Sequence, residues 1–321
     1  MTAQPFGTAE LHAAAAAGIR APSLHNSLPW RFRLRQGAIE VLADPRDPPA
    51  PADRIGWAVR IACGAAVFNA RLALLANGTP ADVRLRPDPG DPTVMARLEP
   101  GRLRPATYPE SDLFAAVSRR RSSREPFWPD PVPADLRARL VEAARAEGAW
   151  LELLIGMTAL SGFAEIAHSA DRVLRRDPAY QAQQSQWIRT EAAGAGIPVT
   201  AAARRAEPQD LLPQRVYGDR PRAPGRDFEA EPLIAILGSI GDTAADQINA
   251  GQGLQRVLLT ATGVGLATSM ISQPIEVAGA REQLSRSLGG RAGTPQMALR
   301  IGYGQPGDPT PRHDLAQMIL S

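Results

Sequence analysis

The sequence contains no lysine: all 36 of its basic residues are arginines. That excludes any chemistry starting from a lysine amine, including a Schiff base to pyridoxal phosphate and the phosphate contact of a P-loop. Arginine-favouring codons of a GC-rich genome suffice to produce the bias. A single cysteine, Cys63, rules out an intrachain disulfide and any multi-cysteine metal site, and its apolar helical setting marks it as a small core residue. The four histidines show no HExxH or related spacing, so no protein metal site is expected. Aromatic residues make up only 5%, and the arginines are spread along the chain, which argues against a nucleic-acid surface. No GxGxxG follows a strand to open a helix, so a Rossmann dinucleotide site has no support. The alanine run at 13–17 has no basic segment before it and is too short to span a bilayer, so a cytoplasmic protein without membrane contact is expected.

What is present is the composition of a soluble globular chain: 321 residues, 44% hydrophobic, 21% charged, formal net charge +3. The length suffices for one large or two ordinary domains. Two stretches look alike. Residues 61–78 (IACGAAVFNARLALLANG) and 248–265 (INAGQGLQRVLLTATGVG) carry apolar residues at helical spacing and end on a glycine suited to a C-cap. One offset of 187 lays Gly64 on Gly251, Val67 on Leu254, Leu72 on Leu259 and Gly78 on Gly265. This predicts two related units, 1–104 and 105–321, with residues 99–109 as linker. Further helices are expected at 9–20, 111–119 (Ser111 as N-cap), 133–147, 158–174 and 278–288. Strands are expected at 30–35 and 38–43, joined by a Gln36-Gly37 turn, and at 83–86, 150–155, 233–237 and 296–302. The alternation points to an α+β sandwich. Residues 177–231, rich in Pro, Arg and Gln and weakly periodic, have the character of an insert that could act as a lid.

Two runs carry the chemistry. Residues 21–32 read APSLHNSLPWRF, a turn of short polar groups (Ser23, His25, Asn26, Ser27) entering a strand through Pro29 and Trp30. Residues 120–127 read RRSSREPF. Cations following a helix complement its dipole. Arg120, Arg121 and Arg124, with Ser122, could equally hold an anion through charge-assisted, bidentate hydrogen bonds. A polar turn and an arginine–serine cluster together suit a ligand with a phosphate, a polyol and a heteroaromatic ring. Plainer roles stand beside these: Trp30 as a packing residue, Ser23, His25 and Asn26 as groups satisfying a tight turn, Arg312 as a surface arginine.

The run RRSSREPF, with Pro131-Val132-Pro133 after it, resembles the arginine signature of the nitroreductase family of flavin proteins (Arg-Arg-Ser-x-Arg, then Phe and Pro-Val). The run APSLHNSLPWRF resembles that family's Ala-Pro-Ser-x-x-Asn-x-Gln-Pro-Trp turn. Ordinary members carry both in one subunit, arginine signature first, and two subunits share two FMN sites. Here the order is reversed and each half holds one, which resembles the double-unit, Acg-like actinobacterial branch. The resemblance implies a tandem of two nitroreductase-like α/β sandwich units, a pseudo-dimer in one chain with one composite flavin site. It assigns Arg120, Arg121, Ser122 and Arg124 to the FMN phosphate, ribityl chain and pyrimidine edge. It assigns Ser23, His25, Asn26 and Ser27 to the turn approaching from the other unit. Residues 269–273, Ser272 and Gln273 in particular, match the loop facing flavin N5 and O4. Arg312, after Gly302-Tyr303-Gly304, matches a phosphate-binding cation. The chain departs from the pattern at Leu28, where the family has Gln, and at Thr310, where many members have a second cation.

The activity so implied is that of an NAD(P)H-dependent oxidoreductase reducing a nitroaromatic or quinone-like acceptor in ping-pong fashion, the chemistry residing on FMN with no catalytic side chain or metal. The chain would work as a monomeric pseudo-dimer or as a homodimer. Two other readings remain open: a non-catalytic protein that sequesters flavin beneath the 177–231 lid, and a homologue that binds no flavin.

Overall fold

The structure, a computed structural model, describes residues 4–44, 56–190, 194–201, 210–215, 217, 231–289 and 293–321. Helix α1 (Thr8–Gly18), rich in helix-favouring alanine, starts where the Glu10 carboxylate accepts the Gly7 N–H at 2.8 Å. An eleven-residue connection, 19–29, leads to strand β1 (Trp30–Arg35). Gln36 and Gly37 both take left-handed backbone, with φ of 51° and 69°. That is the two-residue turn whose twist suits a hairpin, and β2 (Ala38–Ala43) returns with Ala38 opposite Arg35. The first half continues with α2 (Trp57–Ala76), β3 (Ala81–Leu85) and β4 (Val94–Pro100), and α3 (Tyr108–Val117) opens the second.

The second half goes on with α4 (Ala134–Arg145), β5 (Trp150–Leu154) and α5 (Met157–Arg176). Within the insert lie α6 (Pro178–Gln186) and a small parallel pair, β6 (Ile188–Arg189) and β7 (Ile197–Pro198). Then come β8 (Leu233–Ser239), α7 (Ala244–Gly263), β9 (Ala267–Ile271), α8 (Gln273–Glu276), α9 (Ala278–Ser287) and β10 (Thr294–Gly302). A last turn, α10 (Leu315–Met318), and β11 (Ile319–Leu320) carry the chain back to the first half, where β11 pairs parallel with β1.

The larger sheet runs β11-β1-β2-β4-β3 and the smaller β5-β8-β10-β9. Apart from the added β11, both are antiparallel throughout and share one order: first strand, second, last, third. In each, a 20-residue helix, α2 or α7, follows the second strand. These helices cross so closely that a Cβ on Gly64 would lie 1.9 Å from the Ile248 carbonyl oxygen, and one on Gly251 would lie 2.1 Å from that of Ile61. The contact is reciprocal: Ile61 relates to Ile248, and Gly64 to Gly251, by the 187-residue offset that also separates the hydrogen-bonded pair Arg60 and Gln247. Only glycine lets backbones approach this far. The same exchange marks the interior. Trp57 and Ile61 of α2 pack into the core beneath the smaller sheet, while Ile248 of α7 packs into that beneath the larger. By length and apolarity α2 could cross a membrane, but 83% of its most apolar window is buried within the protein.

Several expectations change. The helix expected at 111–119 begins at Tyr108, because Thr107 and Glu110 form a capping box around Pro109; Ser111 lies inside it. The linker expected at 99–109 therefore loses both ends, Glu99 and Pro100 belonging to β4. Strand β4 had no reading in the sequence, its alternation being interrupted by Arg97 and Glu99. The 269–273 stretch, expected as a loop, supplies the end of β9 and the start of α8. The insert is partly regular rather than a plain loop. Its residues 191–193, 202–209, 216 and 218–230 lie outside the described ones. Trp30 and Cys63 are fully buried core residues, as expected.

Candidate functional site

The connection between α1 and β1 is wound tightly. Asn26 N–H donates to Ser23 O at 3.1 Å, Ser27 N–H to Leu24 O at 3.1 Å, and Leu28 N–H to the Ser23 hydroxyl at 3.0 Å. To close it, His25, Asn26 and Leu28 take φ of 54°, 57° and 56°. A left-handed conformation costs a non-glycine residue on the order of 1 kcal/mol, so three in four residues is strain that the surroundings must hold. They hold it from two sides. The Asn26 amide donates to Gly196 O and Pro311 O, both at 2.9 Å, and its oxygen accepts from Arg312 Nη1 at 2.7 Å. Gly196 N–H in turn donates to Asn26 O at 3.0 Å.

This turn forms one wall of a cleft that opens to solvent. Opposite lies the segment after α3, pinned to β9 where Ser123 N–H donates to Thr268 O at 2.8 Å. The first turn of α2, including Trp57 and Ile61, forms part of the lining, with Leu254 of α7 beside it. Of the sequence-identified residues, Ser23, His25, Asn26, Arg120, Arg121, Ser122, Arg124, Ser272, Gln273 and Arg312 all line the cleft. Ser27 does not: its backbone closes the turn and it lies outside the lining.

The cleft has two unlike ends. At one, Arg120 is 3% exposed and donates only from Nη2, to Arg20 O at 3.2 Å; its Nε and Nη1 are buried without partners. Burial first, then the charges of Arg312 and Arg121, push Arg120 down to about 9. Arg312 is likewise lowered to about 10, by burial and then by Arg20 and Arg121. Among the described residues no carboxylate pairs with Arg120, Arg121 or Arg312. The helix-end reading of these cations holds for Arg121, whose Nη1 meets Ser118 O at 2.8 Å, and fails for Arg120, which turns inward. A cluster of cations that depress one another is a site short of an anion.

At the other end the insert packs onto the cleft. Arg215, its side chain 9% exposed, forms an ion pair with Glu276 and donates to the Tyr180 hydroxyl and, at 2.8 Å, to Ser272 Oγ. Burial is the largest single influence and opposes its charge, but Glu276, Tyr180 and Tyr217 together outweigh it, so the Arg215 proton is held more tightly than usual. Tyr217 is 4% exposed and its hydroxyl lies 3.0 Å from His25 Nδ1. Arg124 belongs to this end: it donates to Ala201 O at 3.1 Å, and its guanidinium stands 5.5 Å from the centre of the Tyr217 ring. Arg20, Tyr180, Arg215 and Tyr217 were not read from the sequence. The one available signal for the last two was Val216-Tyr217, an apolar pair within a polar, arginine-rich insert.

The sequence profile of the Nitroreductase family matches residues 117–303. The chain is 32% identical over 314 residues to the Mycobacterium tuberculosis protein named "Putative NAD(P)H nitroreductase Rv3131", covering 94% of this chain and 88% of that protein. It is 26% identical over 307 residues to the one named "Putative NAD(P)H nitroreductase acg" from the same organism, covering 94% and 92%. Among solved structures, the FMN and NADPH-dependent nitroreductase NfnB from sphigopyxis sp. strain HMH is similar at 17% identity and a TM-score of 0.43, covering 65% of this chain and 98% of that one.

Proposed function

Because this chain belongs to the nitroreductase family, we propose that its cleft binds one FMN and that the protein is an NAD(P)H-dependent oxidoreductase for nitroaromatic or quinone-like acceptors. The observation that carries this reading is Arg120, buried, with two nitrogens unpartnered and neighbouring cations that lack a counter-charge. Arg120, Arg121 and Arg312 would take the phosphate, with Ser23 and Ser122 available to hydroxyl groups of a polyol chain. Ser272, Gln273 and the apolar floor of Trp57, Ile61 and Leu254 would border the ring. When bound, FMN supplies two-electron transfer between nicotinamide and acceptor. The chain's own contribution is positioning. Asn26, fixed by three side-chain hydrogen bonds and one backbone hydrogen bond among Gly196, Pro311 and Arg312, keeps the turn from relaxing. Cationic groups at the phosphate end favour an anionic ligand, and the core residues of α2 and α7 exclude water from the floor.

The same reading makes the chain a tandem of two units acting as its own dimer, with one composite site. The reciprocal Gly64–Gly251 crossing, the shared strand order and the exchange of Ile61 and Ile248 between cores support it. So does the difference between corresponding connections. The one from α1 to β1 has eleven residues and builds the turn; the one from α4 to β5 has four, 146–149, too few to build another. A second reading, flavin sequestration beneath the insert, is favoured by one feature: Gly196, Ala201 and Tyr217 of the insert bond directly to Asn26, Arg124 and His25.

An absorbance spectrum of the purified protein, followed by NADH or NADPH without air, tests these readings. A yellow protein bleached by the nicotinamide supports the reductase. Yellow and unbleached supports sequestration. A colourless protein that takes up no added FMN defeats both.

A further inference from the structure

The resemblance places His25 among the flavin contacts, but its surroundings point elsewhere. The imidazole is 3% exposed and stands edge-on to Tyr217, the ring centres 5.8 Å apart at 76°, with Tyr180 at 6.4 Å. Its Nδ1 lies 3.0 Å from the Tyr217 hydroxyl. Of the charges that bear on that hydroxyl, Arg215 and Arg124 cannot accept a hydrogen bond, and among the described residues Glu276 forms none with it. Among the described residues, the hydroxyl proton therefore has Nδ1 as its acceptor, which leaves the ring hydrogen on Nε2. Nε2 is buried, belongs to a cleft-lining residue and has no partner. Burial first, then Arg215 and Arg124, keep the ring neutral; Glu276 is engaged by Arg215 through one oxygen, and Tyr180 and Tyr217 carry no charge. The Asp308 carboxylate, also in the cleft lining, supports the charge of Arg124.

A neutral, unpartnered N–H donor on a cleft-lining residue, flanked by tyrosine rings and a balanced Arg–Glu pair, suits an uncharged planar ligand with an oxygen lone pair. The anion-seeking end lies elsewhere, at Arg120 and Arg312. We propose that the insert-side end of the cleft is the subsite for the oxidised acceptor, that His25 Nε2–H donates to the acceptor's carbonyl or nitro oxygen, and that Tyr217 fixes the tautomer that makes this possible. This rests on the flavin-reductase reading above, and names the class of second substrate and the residue that recognises it. It also gives the strained backbone at His25 a purpose, since the left-handed turn directs the ring toward the insert.

The test uses FMN-loaded protein in its oxidised form, so that no turnover is needed. Menadione is titrated while the flavin spectrum is followed, with wild type, His25→Leu, His25→Gln and Tyr217→Phe. His25→Leu should weaken menadione binding about tenfold or more while FMN affinity stays within about twofold. His25→Gln, which can offer an N–H near the Nε2 position, should recover part of the loss, and Tyr217→Phe should fall between. Nitrogen-15 NMR of wild type should show His25 protonated on Nε2 and not Nδ1. Unchanged menadione affinity in His25→Leu overturns the proposal, as does an equal loss of FMN affinity or the opposite tautomer. These outcomes leave the flavin reading intact. A wild type that takes up no FMN removes that reading and this subsite together. Thermal unfolding of each variant identifies any that fail to fold, in which case the tautomer measured on wild type decides.

Discussion

At one end of the cleft Arg120, Arg121 and Arg312 crowd together with no carboxylate among the described residues. At the other, Arg215 is buried as deeply but is matched to Glu276, Ser272 and Tyr180. One residue type thus serves two ends. Where the guanidinium is matched by the protein, it ties the insert to the β9–α8 junction. Where it is left unmatched, the protein carries a standing cost that a bound anion would relieve. Count and spacing of arginines in the sequence cannot separate the two cases; only the company each one keeps does so.

The contrast can be broken most severely from the matched end. Glu276→Gln strands the Arg215 charge in the interior and should cost about 3–5 kcal/mol of stability in chemical denaturation. A loss below about 1 kcal/mol would mean the pair is not shielded as described. Arg120→Met should act in the opposite sense on the flavin-free protein, leaving stability equal or higher, because it removes a buried charge that has no partner. The same change should weaken FMN binding about 100-fold, or roughly 2.7 kcal/mol. Next, 10 mM inorganic phosphate should stabilise the flavin-free protein by about 1–2 kcal/mol over chloride at equal ionic strength, and Arg120→Met should abolish the difference. The smallest effect concerns His25. Burial, then Arg215 and Arg124, hold its pKa well below the usual 6.5. The unfolded chain therefore takes up a proton that the folded one refuses, so this contribution is complete above about pH 6.5 and lost as pH falls below it, by up to about 1.4 kcal/mol per unit. His25→Gln should flatten that slope in thermal unfolding measured between pH 5 and 7.5.

Much of this was legible in the sequence. Apolar spacing found α2 and α7, and the 187-residue offset found the residues at which they cross, because close helix contact demands glycine at matching positions. The two motifs located both walls of the cleft. What stayed hidden depends on tertiary context. Strand β4 reads VMARLEP, whose alternation is broken by charges satisfied only across the sheet, as where Arg97 meets Glu40. Strand β9 reads ATSMI, with too little apolar content to stand apart from a loop until β10 pairs with it. Arg215 and Tyr217 come from a segment without periodicity, and their roles follow from what they touch. Arg124 looked like a member of the phosphate cluster because it is next to it in sequence, yet its side chain turns to the insert.

The most direct test is a parallel titration of flavin-free protein with FMN and with riboflavin, which differ only in the phosphate. A single composite site ending at Arg120 should bind one FMN per chain, prefer it to riboflavin by about 100-fold, and lose the preference in Arg120→Met. Equal affinity for the two flavins, or two FMN bound per chain, would contradict it.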